Sequence, residues 1–123
     1  MFITSDHIRK NSQILFVFGD NDTRKGLGGM AKEFRGEPNA IGIRTKKKPY
    51  KTPDSYYTDS EFDSNVQKIN EDIIKIKKIS KEYVCLYVPD EIGKGLALLN
   101  IKAPKTYDYL LEEILKLYEW FKK

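Results

Sequence analysis

Apolar positions fall into two kinds of run. Ile14-Leu15-Phe16-Val17-Phe18 is an unbroken apolar stretch, β-branched and aromatic, set between polar Gln13 and Gly19. A run without alternation predicts a strand covered on both faces, as in a parallel sheet flanked by helices. Tyr83-Val84-Cys85-Leu86-Tyr87-Val88 has the same character and stops at Pro89. Between them, Ala40-Ile41-Gly42-Ile43 is a shorter candidate strand, closed by Thr45 and a lysine run. Residues 1–13 are read as adding a short edge element.

The other runs have helical spacing. Thr58-Asp59-Ser60-Glu61 carries the threonine-to-glutamate spacing of a capping box. After it, Phe62, Val66, Ile69, Ile73, Ile76 and Ile79 recur at steps of three and four, with Gln67, Glu71, Lys75 and Lys78 opposite. A second stripe, Tyr107, Leu110, Leu111, Ile114, Leu117, Tyr118 and Phe121, predicts a helix from about Thr106 to Phe121, with Thr106 as its N-cap. Strands alternating with helices predict an α/β fold with a mainly parallel or mixed sheet between helical layers. The long irregular stretch Arg44 to Tyr57, with Pro49, Pro53 and Lys46-Lys47-Lys48, has a length often given to function.

The chain's 123 residues suit one compact domain, read as 1–123. Lys and Arg number 22 and Asp and Glu 18, so 22 − 18 leaves a formal charge of +4. With carboxylates spread among the cations, that excess is too small to name nucleic acid as partner. Hydrophobic residues make 40% and aromatics 12%, enough for a core, which argues against intrinsic disorder. No apolar run approaches the roughly 20 residues that span a bilayer, so no membrane partner is expected. Met1-Phe2-Ile3-Thr4-Ser5-Asp6-His7 lacks the basic-then-apolar build of a signal peptide. With a single cysteine, this predicts a cytoplasmic protein, in the host cytoplasm if its source is viral. One cysteine and one histidine predict no disulfide, no metal site and no cofactor. Cys85 reads as a core thiol and His7 as a surface residue.

Candidate chemistry lies at two strand ends. The first strand runs into Gly19-Asp20-Asn21, then Arg24-Lys25-Gly26-Leu27-Gly28-Gly29-Met30 and a helix start. Glycines let backbone N–H groups approach a ligand closely, and a following helix N-terminus offers unpaired donors to an anion. The spacing is neither a Walker loop nor a dinucleotide fingerprint, and a tight surface loop needs glycines as well. The strand over 83–88 leads into Pro89-Asp90-Glu91-Ile92-Gly93-Lys94-Gly95-Leu96-Ala97, again glycines after a strand. If the two strands are parallel neighbours, both turns lie at one sheet edge and clamp a diphosphate from two sides. Lys94 either neutralises it or points into water. Thr45 and Lys46 end another strand and reach the same edge. Arg35-Gly36-Glu37-Pro38-Asn39 reads as a helix stop and turn, with Arg35 or Glu37 facing the cleft as the alternative.

These two segments resemble the ligand loops of macro domains, which bind ADP-ribose. Asn21 with Gly26, Gly28 and Gly29 resembles the first loop, and Pro89 with Ile92, Gly93 and Gly95 the second. More closely, Phe18-Gly19-Asp20-Asn21, Gly28-Gly29, Arg35-Gly36-Glu37-Pro38-Asn39-Ala40 and Thr45-Lys46 resemble a family of small, mostly uncharacterised phage and bacterial proteins. That likeness covers nearly the whole chain after Gln13. It implies a macro-like three-layer domain holding a phosphorylated nucleoside, ADP-ribose or a related NAD-derived nucleotide, between the loops. In a phage it implies sequestering a host nucleotide signal or reversing ADP-ribosylation. The site expected from loops and resemblance together comprises Gly19, Asn21, Arg24, Gly26, Gly28, Gly29, Met30, Thr45, Lys46, Ile92, Gly93, Lys94, Gly95 and Leu96. Macro domains carry more strand ahead of the first loop, including a Gly-Asp pair whose aspartate reads adenine; this chain has about 13 residues there.

Two other classes of function stay open. Hydrolysis of ADP-ribose derivatives would use Asp20 as base, Asn21 to orient a water or ligand hydroxyl, and Arg24 or Lys94 to offset charge. The sequence has no histidine near a nucleophile and no carboxylate triplet, which favours binding alone. The alternative is an accessory protein that binds nucleic acid or a host protein through the Lys46–Lys51 loop with Tyr50.

Overall fold

The computed structural model describes residues 3–122. Met1 and Phe2, part of the N-terminal stretch read above, and Lys123, at the end of the expected domain, lie outside the described residues.

Strands β1 (Ile14–Asn21), β2 (Ala40–Lys46) and β3 (Cys85–Tyr87) form one sheet in the order β2-β1-β3, with both pairings parallel. Helices α1 (Ser5–Lys10) and α2 (Ala31–Phe34) cover one face; α3 (Phe62–Ile79), α4 (Leu99–Lys102) and α5 (Pro104–Phe121) cover the other. The fold is α/β in three layers. The unbroken apolar run of β1 follows from its central place. Leu15 and Val17 join the core with α3 and α5, while Phe16 and Phe18 join Ile8, Ala31 and Phe34. Burying each such side chain is worth about 1.5–3 kcal/mol, so β1 anchors both layers.

The α3 stripe packs as its spacing predicts: Ile69, Ile73 and Ile76 are buried, and Gln67, Glu71, Lys75 and Lys78 face water. In α5, Leu110, Ile114 and Leu117 are buried, but Leu111 is exposed. It sits at the margin of the stripe, beyond the reach of α3.

Both predicted helix starts are corrected. Thr58 and Glu61 form no capping box; a 3-10 turn over Asp59–Glu61 precedes α3, and the Thr58 hydroxyl pairs with that of Ser60. Asp59 instead caps α5. Its carboxylate accepts from the amides of Lys105 (2.9 Å) and Thr106 (3.0 Å) and from the Thr106 hydroxyl. Thr106 is therefore inside the first turn, buried, and not the N-cap. Pro104 opens that helix, its fixed φ suiting the first helical position.

Residues 1–13 contribute a helix in place of an edge element: Thr4 Oγ1 accepts from the His7 amide, and Ile8 is fully buried. Asn39 ties α1 to the sheet, its side-chain amide donating to the carbonyls of Ile8, Asn11 and Ile14. The run Tyr83–Val88 yields only three paired residues. β3 is an edge strand bonded to Ile14–Phe16, so Val84 (74% exposed) and Cys85 stand in water. Cys85 is not a core thiol. His7 is exposed, as expected.

Candidate functional site

β1 leaves the core at Gly19 and turns. Asn21 organises that turn: its Nδ2 donates to the Lys25 carbonyl (2.8 Å), and its Oδ1 accepts from the Thr23 amide (3.0 Å) and hydroxyl. Asn21 is buried and folds the chain back, as Asx turns do. The turn takes its Oδ1 and one of its two Nδ2 hydrogens.

Beneath the loop lies an ion-pair network. Arg35 donates from Nε to the Gly26 carbonyl, from Nη1 to the Arg24 carbonyl, and from Nη2 to Asp20 Oδ1 at 2.6 Å. Arg24 bridges Asp20, Asp72 and the Gly42 carbonyl. Arg44 closes the set on Asp72 and Glu71. Burial would lower the Arg44 pKa, but hydrogen bonds to Asp72 and Glu71 outweigh it and hold the guanidinium protonated well above its usual range. Two corrections follow. Asp20, buried and gripped by two arginines, is no free base, and Arg24 points into the fold and offsets aspartate charge. For Arg35 and Gly36 the turn reading holds: Gly36 has φ +89° after α2, and Glu37 pairs with Arg9.

Because β1 and β3 are parallel neighbours, the two glycine turns meet. Gly28, Gly29 and Met30 face Gly93, Lys94, Gly95 and Leu96 across a cleft of about 410 Å³, with Gly19 and Thr45 also lining it. That volume lies within the roughly 300–1,000 Å³ common for ligand sites. The turns approach closely: a Cβ on Gly28 would lie 3.1 Å from Leu96 Cδ1. Among the described residues, the amides of Gly28, Gly29, Met30, Gly95 and Leu96 donate to no protein acceptor. The cleft's apolar lining includes Ile3, Met30, Phe34 and Leu96; its charged groups are Lys94, Glu33 and Glu91. Glu33 Oε1 is fixed by the Ser5 amide at 2.8 Å.

Helix N-termini contribute less than expected. Both α2 and α4 are four residues long, so neither carries much of a macrodipole. The donors are the loop amides themselves.

The remaining candidates separate. Ile92 is a core residue, 2% exposed. Asn21, Gly26 and Lys46 line a smaller neighbouring cavity of about 80 Å³, which shares Gly19, Gly28, Thr45 and Leu96 with the cleft. Burial and nearby Lys51 lower the Lys46 pKa. In the basic loop Lys47 pairs with Glu61 and Lys48 with Asp54. Tyr56 and Tyr57 are both buried; burial and the Asp22 carboxylate push the Tyr57 phenol above its usual range.

Sequence reasoning passed over Ile3, Glu33 and Glu91, which the cleft gathers from three segments. It also passed over Asp72, a carboxylate one turn from Ile69 on the buried side of α3. A lone acid inside an apolar stripe was the available signal.

Residues 1–113 match the model of a family of unknown function, DUF7831. The chain belongs to that family. No curated protein and no solved structure matches it. In this DUF7831 member the matched span contains both glycine turns and the cleft between them. Among the described residues, no group of acids, histidine and cysteine is placed to hold a metal ion, and no helix is long and apolar enough to cross a membrane.

Proposed function

We propose that the protein binds a phosphorylated nucleoside, of the ADP-ribose or related NAD-derived class, in the cleft between its glycine turns. The observation that carries this reading is the meeting of Gly28–Met30 with Gly93–Leu96 beyond the carboxyl ends of parallel strands. Open α/β sheets bind ligands at that edge. Unpaired loop amides and Lys94 supply donors to phosphate, while Met30, Phe34 and Leu96 supply an apolar surface for a base. The resemblance of both turns to macro-domain ligand loops adds to this reading.

The proposed activity is binding, and with it sequestration of a nucleotide. Turnover has less to draw on, because its candidate base, Asp20, is held by two arginines, and the Asn21 side chain is committed to the turn through Oδ1 and one Nδ2 hydrogen. Calorimetry with ADP-ribose, its cyclic relatives and mononucleotides tests the reading. Saturable heat from at least one of them, lost in Gly28→Val, is the expected result; no heat from any, with folded protein, rejects it.

A further inference from the structure

We propose that the small cavity beside the cleft is an anion subsite centred on Lys46, which takes the terminal phosphate of a phosphate monoester. This deepens the nucleotide reading and rests on it for the identity of the monoester.

Lys46 is buried, with 9% exposure. Among the described residues it has no carboxylate partner and no side-chain hydrogen bond, whereas neighbouring Lys47 and Lys48 each have an acid. Its Nζ lies 4.8 Å from the Tyr56 ring centroid. An aromatic face offsets part of the cost of burying an ammonium, but buried charges ordinarily find an opposite charge. Tyr56 is also shared with a second cation, Lys102 at 5.2 Å. The acid that lines the cavity cannot serve, because the Asp20 oxygens are taken by Arg24 and Arg35. In that network Arg24, Arg35 and Arg44 balance Asp20, Asp72 and Glu71, so the cavity's lysines, Lys25 and Lys46, are surplus positive charge.

Size narrows the occupant. The cavity measures about 80 Å³ against about 410 Å³ for the cleft, so the compact tetrahedral anion is assigned to the cavity and the nucleoside to the cleft. Because this cavity and the cleft share Gly28 and Leu96, a nucleoside lying in the cleft can place its phosphate beside Lys46.

The test compares 5′-AMP with adenosine by calorimetry, in wild type, Lys46→Met and Lys46→Arg. Methionine keeps much of the aliphatic stem and removes the charge. Wild type is expected to prefer AMP about ten- to hundredfold, the worth of one charge-assisted hydrogen bond. That preference collapses in Lys46→Met and largely survives in Lys46→Arg. An unchanged preference in folded Lys46→Met overturns the subsite and leaves nucleotide binding standing. If neither compound binds wild type, the nucleotide reading fails, and inorganic phosphate decides the subsite. A thermal midpoint that rises with phosphate and saturates, at matched ionic strength in wild type, supports it; no rise, or only the unsaturating rise any kosmotropic salt gives, overturns it. If Lys46→Met does not fold, the same wild-type phosphate measurement decides.

Discussion

Arg35 and Asp20 are locked together under the first glycine turn, Nη2 to Oδ1 at 2.6 Å, with the Asp20 side chain only 3% exposed. The same guanidinium holds the carbonyls of Arg24, Lys25 and Gly26. Arg35→Ala removes the shorter of the two ion pairs on buried Asp20 and leaves it to Arg24 alone, so it is expected to cost about 1–3 kcal/mol. Arg35→Lys should recover only part of this, since an ammonium cannot reproduce the fork. Urea denaturation measures both. A loss below about 1 kcal/mol, the scale of an exposed pair, would contradict the network.

Asp59 should give stability an acid-sensitive component. Burial raises its pKa, but hydrogen bonds from the Lys105 and Thr106 amides and the Thr106 hydroxyl outweigh that and hold it below the ordinary value. The folded state thus prefers the carboxylate. Its contribution is complete above the unfolded value, about 3.9, and is lost as pH falls through the lower folded value. Asp59→Ala is expected to cost about 1 kcal/mol at neutral pH, as for other caps, and less at pH 3. Urea midpoints at both pH values check this; an equal cost at both would remove Asp59 from the acid response.

Two glycines should respond in opposite ways. A Cβ on Gly42 would meet Asp20 Cβ at 2.7 Å, against the strand that anchors the network. Gly42→Ala is therefore expected to destabilise by about 1–3 kcal/mol, as overpacking does. Gly28 instead faces the far end of the Leu96 side chain, which is 48% exposed and free to move. Gly28→Val should keep stability within about 0.5 kcal/mol of wild type, like other surface changes, and fill the cleft. Calorimetry and thermal melts on the two variants separate these effects.

Cys85 lies on the open side of the edge strand β3. The native protein should react fully with a thiol reagent such as DTNB, without denaturant. Reaction only after unfolding would place the thiol in the core.

Ile14–Phe18 was legible because a strand covered on both faces needs no alternation, and Phe62–Ile79 because six apolar residues share one helical face. Local sequence was less informative at the helix starts. The Thr58–Glu61 spacing satisfies a capping box on paper, yet Asp59 caps a helix more than forty residues onward, a partnership set by packing. Cys85 reads as buried because its neighbours are apolar, but burial belongs to sheet order, and β3 is at the edge.

The candidate site divides the same way. Glycines after two apolar runs marked the turns, since close approach and positive φ require them, as at Gly29 and Gly93. Parallel pairing of β1 with β3 decided that the turns face each other. Tertiary packing also decided which charges are available: Asp20 and Arg24 neutralise partners inside the fold, whereas Lys46 is buried without one. Residue type and spacing determine where a strand, a stripe or a flexible turn can form. The net charge felt at a cleft depends on distances between side chains far apart in the chain, and those exist only once the layers have packed.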